Sequence, residues 1–415
     1  MNIIFYYICT SQQKNNKFMN QLKTQRYVAL DVLRGMTVAG MIMVNNPGTW
    51  GHIFSPLRHA PWSGCTPTDL VFPFFLFCVG VALAFSFAKY GDTLNAASSK
   101  KLVKRGILIF IVGLALNMFP FYPTSVNSEM TFWQNYVSWL DHLRIFGVLQ
   151  RIALCYILGG FLALLLKKPK KILIGIIFLT VLHWIILMIF GSEPGWSTLT
   201  GNIAGKIDIA LLGENHVYKG YGIPFDPEGL LGVISGSATV LLGYYIGQMI
   251  RHTEQKIDAV AKLYTTALIC LGLGLVWSIW LPINKPMWTG SYVLYAGGWA
   301  IMMLAFFIYF IDVKGKEKPF TPFKAMGMNP LFAFVMAGIF AKTFGRIIKW
   351  KYMAATEDGT LVEKTMSASR WFYENCCVSI FGDNEYASLI YALIYVAIFV
   401  AMAMFLYRKK IIIKL

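Results

Sequence analysis

Residues 68–88 read TDLVFPFFLFCVGVALAFSFA and contain a single charged side chain, Asp69. An α-helix needs about 20 mostly apolar residues to cross the hydrocarbon core of a bilayer, because each residue advances it by about 1.5 Å. A run of this length with one charge at its start is typical of a membrane-spanning helix. The segment therefore predicts an integral membrane protein.

The rest of the chain repeats this pattern. Hydrophobic residues make up 57% of the 415 residues and charged residues 14%, and the mean hydropathy is +0.57. The segments that are apolar enough to span are 28–46, 68–88, 106–121, 145–166, 172–190, 229–250, 263–281, 291–311, 325–347 and 386–407. We expect an all-α polytopic bundle of about ten transmembrane helices. Eleven is the alternative count, because Asn329-Pro330 interrupts the ninth segment.

The connections between these segments leave no room for a second domain. The longest of them, 191–228 and 348–385, are too short to form an independent hydrophobic core. We therefore expect a single transmembrane domain over residues 26–415, preceded by a short cytoplasmic segment, 1–25. The apolar start MNIIFYYICT is a poor signal peptide, because it is short and no small-residue cleavage site follows it. Met19 is an alternative to Met1 as the start.

Lysine and arginine are distributed unevenly between the two faces of the predicted bundle. Of the 37 basic residues, 24 lie before the first span or in short clusters after even-numbered spans, such as KKPKK at 167–171. Positive residues favour the cytoplasmic face, so both termini are predicted to be cytoplasmic. The net charge of +17 is explained by this bias and does not indicate nucleic-acid binding.

The loop between the first two spans is the strongest candidate site. It contains His59 and Trp62 among further polar and aromatic residues, and Asn45 lies at the outer end of the span before it. The charge bias places this loop on the outer face. Polar groups are costly at a membrane and usually functional there. Histidine is the natural general base near neutral pH. The amide of Asn45 is suited to polarise a carbonyl or to hold an oxyanion.

A second set of polar residues lies within or beside the spans. Asp31 and Arg34 are three residues apart near the inner end of the first span, and this spacing predicts an ion pair on one helix face. Arg144 begins the fourth span from outside, with Gln150 and Arg151 about 10 Å deeper by helix rise. At that depth Arg151 is expected to face a polar cavity, with a purely structural role as the alternative.

Cysteines and outer acids suggest little chemistry of their own. The chain has no CxxC motif and no metal-ligand spacing, so no metal is predicted. A disulfide between Cys65 and either Cys376 or Cys377 on the outer side stays open. Glu228, with its neighbour Asp226, is expected either to line the site or simply to cap the start of the sixth span.

The sequence resembles the heparan-α-glucosaminide N-acetyltransferase family. The resemblance rests on RYVALDVLRGMTVAGMIMVNNPG at 26–48 and HAPWSGCTPTDLVFPFFLFCVG at 59–80. Further matches follow in one register: LRIFGVLQRIALCYI at 143–157, FDPEGLLGVISGSATVLLGYYIGQ at 225–248, INKPMWTGSYVL at 283–294, MGMNPL at 326–331 and YRKKIIIKL at the C-terminus.

The resemblance implies transfer of acetyl from cytosolic acetyl-CoA to an amino sugar on the other side of the membrane. Carried over by position, the catalytic histidine falls on His59 and the catalytic asparagine on Asn45. Acetyl-CoA is a co-substrate, and a homodimer is expected on resemblance alone. The candidates for binding substrate or CoA are Asp31, Arg34, Trp62, Asp69, Arg144, Gln150, Arg151, Glu228, Asn284 and Asn329.

The sequence departs from the animal members, which carry an additional lumenal N-terminal domain without a counterpart here. We therefore expect a bacterial inner-membrane protein whose His59 loop faces the periplasm. The acceptor is then a periplasmic amino sugar or glycan rather than heparan sulphate. Two alternatives stay open: an O-acyltransferase acting on a polysaccharide, and a sugar or anion transporter. Transporters often show matching inverted halves, and we find none in this sequence.

Overall fold

The computed structural model describes residues 27–124, 126–355 and 361–413. The predicted segment 1–25, with its two candidate start residues, lies outside these ranges. The long helices, in chain order, are α1 (Val28–Asn45), α2 (Pro67–Phe87), α3 (Ala96–Met118), α4 (Phe132–Asp141), α5 (Val148–Leu166), α6 (Pro169–Phe190), α7 (Ile203–Leu212), α8 (Gly232–Arg251), α9 (Lys256–Trp277), α10 (Gly290–Phe307), α11 (Thr321–Met328) and α12 (Pro330–Lys342). A hairpin of β1 (Lys349–Ala355) and β2 (Leu361–Ser367), the short helices α13 (Ala368–Phe372) and α14 (Ser379–Phe381), and α15 (Glu385–Arg408) complete the chain.

Nine helices within the described ranges are long and apolar enough to cross a membrane. They correspond to nine of the ten predicted spans, so a polytopic helical membrane protein is confirmed. The predicted third span, 106–121, is the exception. Its helix α3 begins ten residues earlier, at Ala96, and carries Lys100, Lys101, Lys104 and Arg105 in its first half. The apolar remainder of α3 is therefore shorter than a full span.

Two further expectations need correction. The predicted ninth span, 325–347, is not continuous, because the backbone leaves helical geometry at Asn329 between α11 and α12. The all-α expectation misses the antiparallel hairpin, in which Lys349 pairs with Ser367 and Ala355 with Leu361. The backbone groups that face inward bond across the two strands.

The helices pack around α8, which contacts α2, α5, α6 and α10. A second close contact joins α1 to α11. A side chain at Gly35 would lie 1.8 Å from the carbonyl oxygen of Phe323, and one at Gly327 would lie 1.7 Å from that of Asp31. These glycines therefore let the two backbones touch, and this packing brings Arg34 beside the end of α11.

Polar contacts define two ends of the bundle. At one end, which we call the basic end, Arg251 pairs with Asp92, and the side chain of Asp312 accepts a hydrogen bond from the amide of Ala29. At the opposite end, which we call the loop end, Thr49 bonds with Ser388. The long connections 46–66, 119–147, 191–231, 278–289 and 348–384 gather at the loop end. Both candidate catalytic residues belong to it.

Candidate active site

The first turn of α2 holds the carboxylate of Asp69. The sequence Thr66-Pro67-Thr68-Asp69 is a capping box, in which the Asp69 side chain accepts a hydrogen bond from the amide of Thr66 at 3.1 Å. The same oxygen accepts from the amide of Ala60 at 3.0 Å. Asp69 is 1% exposed, so these bonds compensate for burying its charge. A local capping signal thus positions a buried anion below the loop.

That anion orients His59. The Nδ1 atom of His59 lies 2.7 Å from Oδ1 of Asp69, and the imidazole side chain is 41% exposed. A carboxylate accepts hydrogen bonds, so Nδ1 carries the proton and Nε2 presents its lone pair. Nε2 makes no hydrogen bond to the described residues. The pair has the geometry of a general base held by a carboxylate.

Lys285 completes the cluster from a loop more than 200 residues away. Its Nζ atom lies 3.3 Å from Oδ1 of Asp69 and 3.1 Å from Nδ1 of His59. Because Nδ1 donates to Asp69, the contact of Lys285 with the ring is electrostatic. The ammonium balances the carboxylate and opposes a positive charge on the imidazole. Lys285 was not among the predicted site residues, although its neighbour Asn284 was.

Asn284 and Trp62 fasten the two loops that form the cluster. The amide nitrogen of Asn284 donates to the carbonyl of Trp62 at 3.0 Å, and its oxygen accepts from the amide of Met287 at 2.8 Å. The indole of Trp62 donates to the carbonyl of Ser197 at 2.7 Å. The polar groups of both predicted binding residues are thus used within the protein. Their hydrogen bonds indicate that Asn284 and Trp62 hold the loops in position.

Cys65 lies beside the cluster but is not a nucleophile at neutral pH. Burial, and then the charge of Asp69, raise the pKa of its thiol to about 12, although Lys285 acts in the opposite direction. The group therefore stays protonated. Cys65, Cys376 and Cys377 are all free cysteines. The disulfide considered from the sequence is not formed, and His59 is the better candidate for acyl chemistry.

Asn45 lies at the last position of α1, where its side chain is exposed. Its amide makes no hydrogen bond to any described residue, whereas that of the adjacent Asn46 donates to the carbonyl of Ile42 at 2.7 Å. Asn45 therefore keeps a free amide at the loop end, as an oxyanion-binding group requires. Its role stays a prediction.

The side chains of Arg144 and Glu228 form an ion pair with each other, so their charges are already used within the protein. The guanidinium of Arg144 donates to both oxygens of Asp226, at 2.7 and 2.9 Å, and to Glu228. Burial by itself would lower the pKa of Arg144, but the hydrogen bonds and charges of the two acids outweigh it and raise that pKa. The two acids therefore do not cap α8, which begins at Gly232.

Arg151 and Gln150 are also turned inward, each only 1% exposed. Arg151 donates to the carbonyls of Pro227 and Gly229, at 3.0 and 2.8 Å, and lies over the ring of Trp288 at 5.4 Å. Its Nε and Nη1 atoms, and Nε2 of Gln150, find no partner among the described residues. Arg151 thus supports the segment before α8, and its predicted role in binding stays a prediction.

The remaining predicted residues meet at the basic end. A cavity of about 870 Å³ is lined there by Asp31, Arg34 and three further cations, Lys101, Lys104 and Arg105. Asp31 and Arg34 form the predicted ion pair at 2.6 Å. Arg34 also donates to the carbonyl of Gly327 at 2.9 Å. Its guanidinium is therefore held at the cavity wall, with an excess of positive charge around it.

Asn329 borders this cavity but is engaged by the C-terminal segment. Its amide nitrogen donates to the carbonyl of Ile411 at 3.0 Å, and its oxygen accepts from the amide of Ile413 at 2.8 Å. Ile412 and Ile413 belong to the cavity wall. Asn329 therefore shapes the cavity through the chain that it holds, since both halves of its amide are already bonded.

The structure is thus that of a polytopic helical membrane protein with a carboxylate-held histidine at one end and a basic cavity at the other. Residues 26–208 match the family described as "Heparan-alpha-glucosaminide N-acetyltransferase, catalytic". Through this region the chain is similar to that family, as the sequence motifs predicted.

Two curated relatives bear the name "Heparan-alpha-glucosaminide N-acetyltransferase". The protein from Mus musculus is 29% identical over 367 residues, covering 75% of this chain and 53% of the relative. The protein from Homo sapiens is 28% identical over 381 residues, covering 79% of this chain and 54% of the relative. The chain thus spans about half the length of the curated relatives it matches.

Proposed function

We propose that this protein is a transmembrane acetyltransferase that moves acetyl from cytosolic acetyl-CoA to an amino sugar or glycan on the other side of the membrane. The observation that carries the proposal is the His59–Asp69 pair, with Nδ1 held at 2.7 Å and Nε2 free at a half-exposed position. An amine must lose a proton before it attacks a thioester, and this pair supplies the base.

The basic cavity is the proposed entry site for acetyl-CoA. CoA carries a pyrophosphate and a ribose phosphate, which arginine and lysine side chains bind well. Arg34 precedes Asn45 by eleven residues on α1, a rise of about 16 Å. A gap of that order suits the extended pantetheine arm of CoA. Phosphates held near Arg34 would then direct the thioester towards Asn45 and His59.

The chemical step follows from these positions. Nε2 of His59 takes a proton from the acceptor amine as its nitrogen attacks the thioester carbonyl. The amide of Asn45 stabilises the oxyanion that develops there. The new C–N bond forms, the C–S bond breaks, and the leaving thiolate takes up the proton from His59. We favour this direct transfer over an acetyl-histidine intermediate, because base catalysis alone is sufficient.

The test uses the purified full chain in proteoliposomes, with labelled acetyl-CoA on one side and glucosamine on the other. Wild type is expected to form labelled N-acetylglucosamine, and His59→Ala to lose transfer by about 10³-fold or more while still binding acetyl-CoA. The control is His142→Ala, which removes an exposed histidine of the loop end whose Nδ1 atom lies 2.8 Å from the carbonyl oxygen of Ser138 and 3.9 Å from the carboxylate of Asp141. Retained turnover in His59→Ala would remove this histidine from the mechanism.

The same experiment separates the rival functions. An O-acyltransferase would use the same base with a hydroxyl acceptor, so label would appear as a glycan ester that hydroxylamine cleaves. A transporter would accumulate sugar without any acetylated product. Labelling of the protein by acetyl-CoA alone, lost in His59→Ala, would identify the acetyl-histidine route. We also propose that the protein lies in a bacterial inner membrane with the loop end facing the periplasm, and the charge bias supports this orientation.

A further inference from the structure

A second cavity at the loop end is not used by the mechanism above. Its volume is about 500 Å³, and it lies between residues 47–50 and the segment that follows the hairpin. The walls are formed by Pro47, Gly48, Thr49, Ser369, Val378 and the side chains of Trp50, Arg370, Tyr373, Glu374, Asp383 and Tyr391. We call it the Trp50 cavity. It is large enough for a sugar ring, and its lining is mixed aromatic and polar.

The aromatic wall is open to a ligand. Trp50 is 67% exposed, and its ring stacks on no other ring among the described residues. Tyr373, by contrast, packs edge-on against Tyr391. A flat, exposed indole offers an apolar face to the C–H groups of a pyranose, and its π-cloud also attracts a cation.

The charges of the cavity favour a cationic ligand. It contains one basic residue, Arg370, and two acids, Glu374 and Asp383. Arg370 is paired with Glu374 at 2.7 Å, so Asp383 supplies the excess negative charge. Its carboxylate is 66% exposed, lies 3.8 Å from the ring of His52 and accepts a hydrogen bond from the hydroxyl of Tyr373 at 3.4 Å. A net acidic cavity in a chain of net charge +17 selects against phosphates and for amines.

One wall of the Trp50 cavity, residues 47–50, is fixed by hydrogen bonds and belongs to the same loop as His59. The hydroxyl of Ser388 accepts from the amide of Thr49 and donates to its carbonyl, both at 3.2 Å. A side chain at Gly48 would lie 2.4 Å from the ring of Tyr373, so the two walls are in contact. From the other side, Arg58 donates to the carbonyl of Gly51 at 3.2 Å. Arg58, which precedes His59, is thereby bonded to Gly51, which follows Trp50.

We propose that the Trp50 cavity is an acceptor subsite for amino-sugar oligosaccharides, an inference that rests on the proposed acetyl transfer. Trp50 stacks on the sugar ring next to the one being acetylated, and Asp383 binds the ammonium group of that neighbouring ring. The cavity therefore adds affinity for an oligosaccharide and none for a single sugar. The acetylated ring itself is held at His59.

The test compares glucosamine with its β-1,4-linked disaccharide as acceptors. Trp50→Ala and Asp383→Asn are expected to raise KM for the disaccharide about tenfold while KM for glucosamine and kcat stay unchanged, because the lost contacts bind the ground state and the transition state equally. The matched control is Trp133→Ala, since Trp133 is 69% exposed and has the same type of side chain at the loop end. An indole that only anchors the protein at the bilayer surface would leave both KM values unchanged.

Binding of the unreacted disaccharide provides a readout without turnover. Calorimetric titration of His59→Ala with the disaccharide is expected to show binding that the additional change Trp50→Ala weakens about tenfold. Unchanged affinity, or equal weakening by Trp133→Ala, would overturn the subsite. If wild type binds the disaccharide through Trp50 but acetylates neither acceptor, the proposed function fails while the subsite stands.

Discussion

Two ionic clusters at the loop end use the same kinds of side chain differently. In the His59–Asp69–Lys285 cluster the anion is buried, but the imidazole that it holds is half exposed and keeps one nitrogen free. In the Arg144–Asp226–Glu228 cluster both carboxylates bind the one guanidinium. The difference is whether an unsatisfied polar atom faces the open side of the loops. We call the first the open cluster and the second the closed cluster. We infer that the open cluster performs chemistry and that the closed cluster holds the loops in place.

The largest effect is expected when Asp69 loses its charge. Asp69→Asn keeps the size of the side chain but turns an amide toward His59, which then adopts the wrong tautomer. We expect kcat to fall by about 10³-fold, comparable to the loss of the carboxylate in other histidine-based sites. Steady-state kinetics in proteoliposomes measures this, with acetyl-CoA binding as the check on folding.

Asp141→Asn is the matched control for this change. The Asp141 carboxylate is 59% exposed at the same end, and its loss is expected to leave kcat within twofold of wild type. A folded Asp69→Asn protein with kcat within tenfold of wild type would reduce Asp69 to a helix cap. Neither of the two ionic clusters would then have a catalytic role, and the proposed difference between them would be lost.

The second largest effect is a loss of stability, which we expect when the closed cluster of Arg144, Asp226 and Glu228 is broken. Asp226→Ala leaves the guanidinium of Arg144 with Glu228 alone. The cost is about 3 kcal/mol, because the guanidinium loses two of its three charge-assisted hydrogen bonds although Glu228 remains. We expect a lower melting temperature in detergent with kcat per folded molecule unchanged.

The control for Asp226→Ala is an exposed pair on the hairpin. Lys351 and Glu363 lie 2.8 Å apart with both side chains more than half exposed. Such pairs contribute at most about 1 kcal/mol, so Lys351→Gln is expected to leave the melting temperature nearly unchanged. A specific loss of kcat in Asp226→Ala, without a change in stability, would place the Arg144 cluster in the chemistry instead.

The sequence allows one cluster to be predicted in part. Thr66 and Asp69 form a local capping box that can be recognised from spacing alone, and the family motif indicates His59. Lys285 could not be assigned in the same way, since it reaches Asp69 only after α2 and α10 have packed together. The free amide of Asn45 and the engaged amide of Asn284 are likewise indistinguishable in sequence, because partners across the fold decide which one is available.

Prediction of the fold from the sequence was limited in the same way, because only local features could be recognised. Nine spans were predictable because apolar length is a local property. The first half of α3, by contrast, carries four cations, and three of them are tolerated because they line the basic cavity. The hairpin was predictable but missed. Asp358-Gly359, outside the described residues, is a strong hairpin signal between alternating segments. The break at Asn329 was visible as an interruption, but the bonds of its side chain to Ile411 and Ile413 were not.

A third prediction concerns Asp208, which lies beside the closed cluster. Burial raises the pKa of this carboxyl from 3.8 to about 6, against a hydrogen bond from the amide of Leu230. Between these pH values the folded protein retains a proton that the unfolded chain has lost, so stability falls as pH rises from about 4 to about 6. The penalty is at most about 3 kcal/mol and is complete above that range.

Asp208→Asn removes this titration. The melting temperature of the variant relative to wild type is expected to rise between pH 4.5 and pH 7, measured by scanning fluorimetry in detergent. Asp141→Asn, which removes an exposed carboxylate, is expected to follow wild type at every pH. A constant difference between Asp208→Asn and wild type across this range would mean that Asp208 is charged throughout, as the members of a closed ionic cluster are.

The smallest effect is expected from the cation of the open cluster. Lys285→Met leaves Asp69 with its hydrogen bonds from His59, Ala60 and Thr66 but removes the ammonium that balances the buried carboxylate. We expect kcat in proteoliposomes to fall by only about fivefold, because an ion pair of about 1 kcal/mol is lost while the carboxylate still orients His59. Lys285→Arg keeps the charge and is expected to keep kcat near the wild-type value. A fall in kcat as large as that of Asp69→Asn would instead mean that the orientation of His59 depends on Lys285 as much as on Asp69.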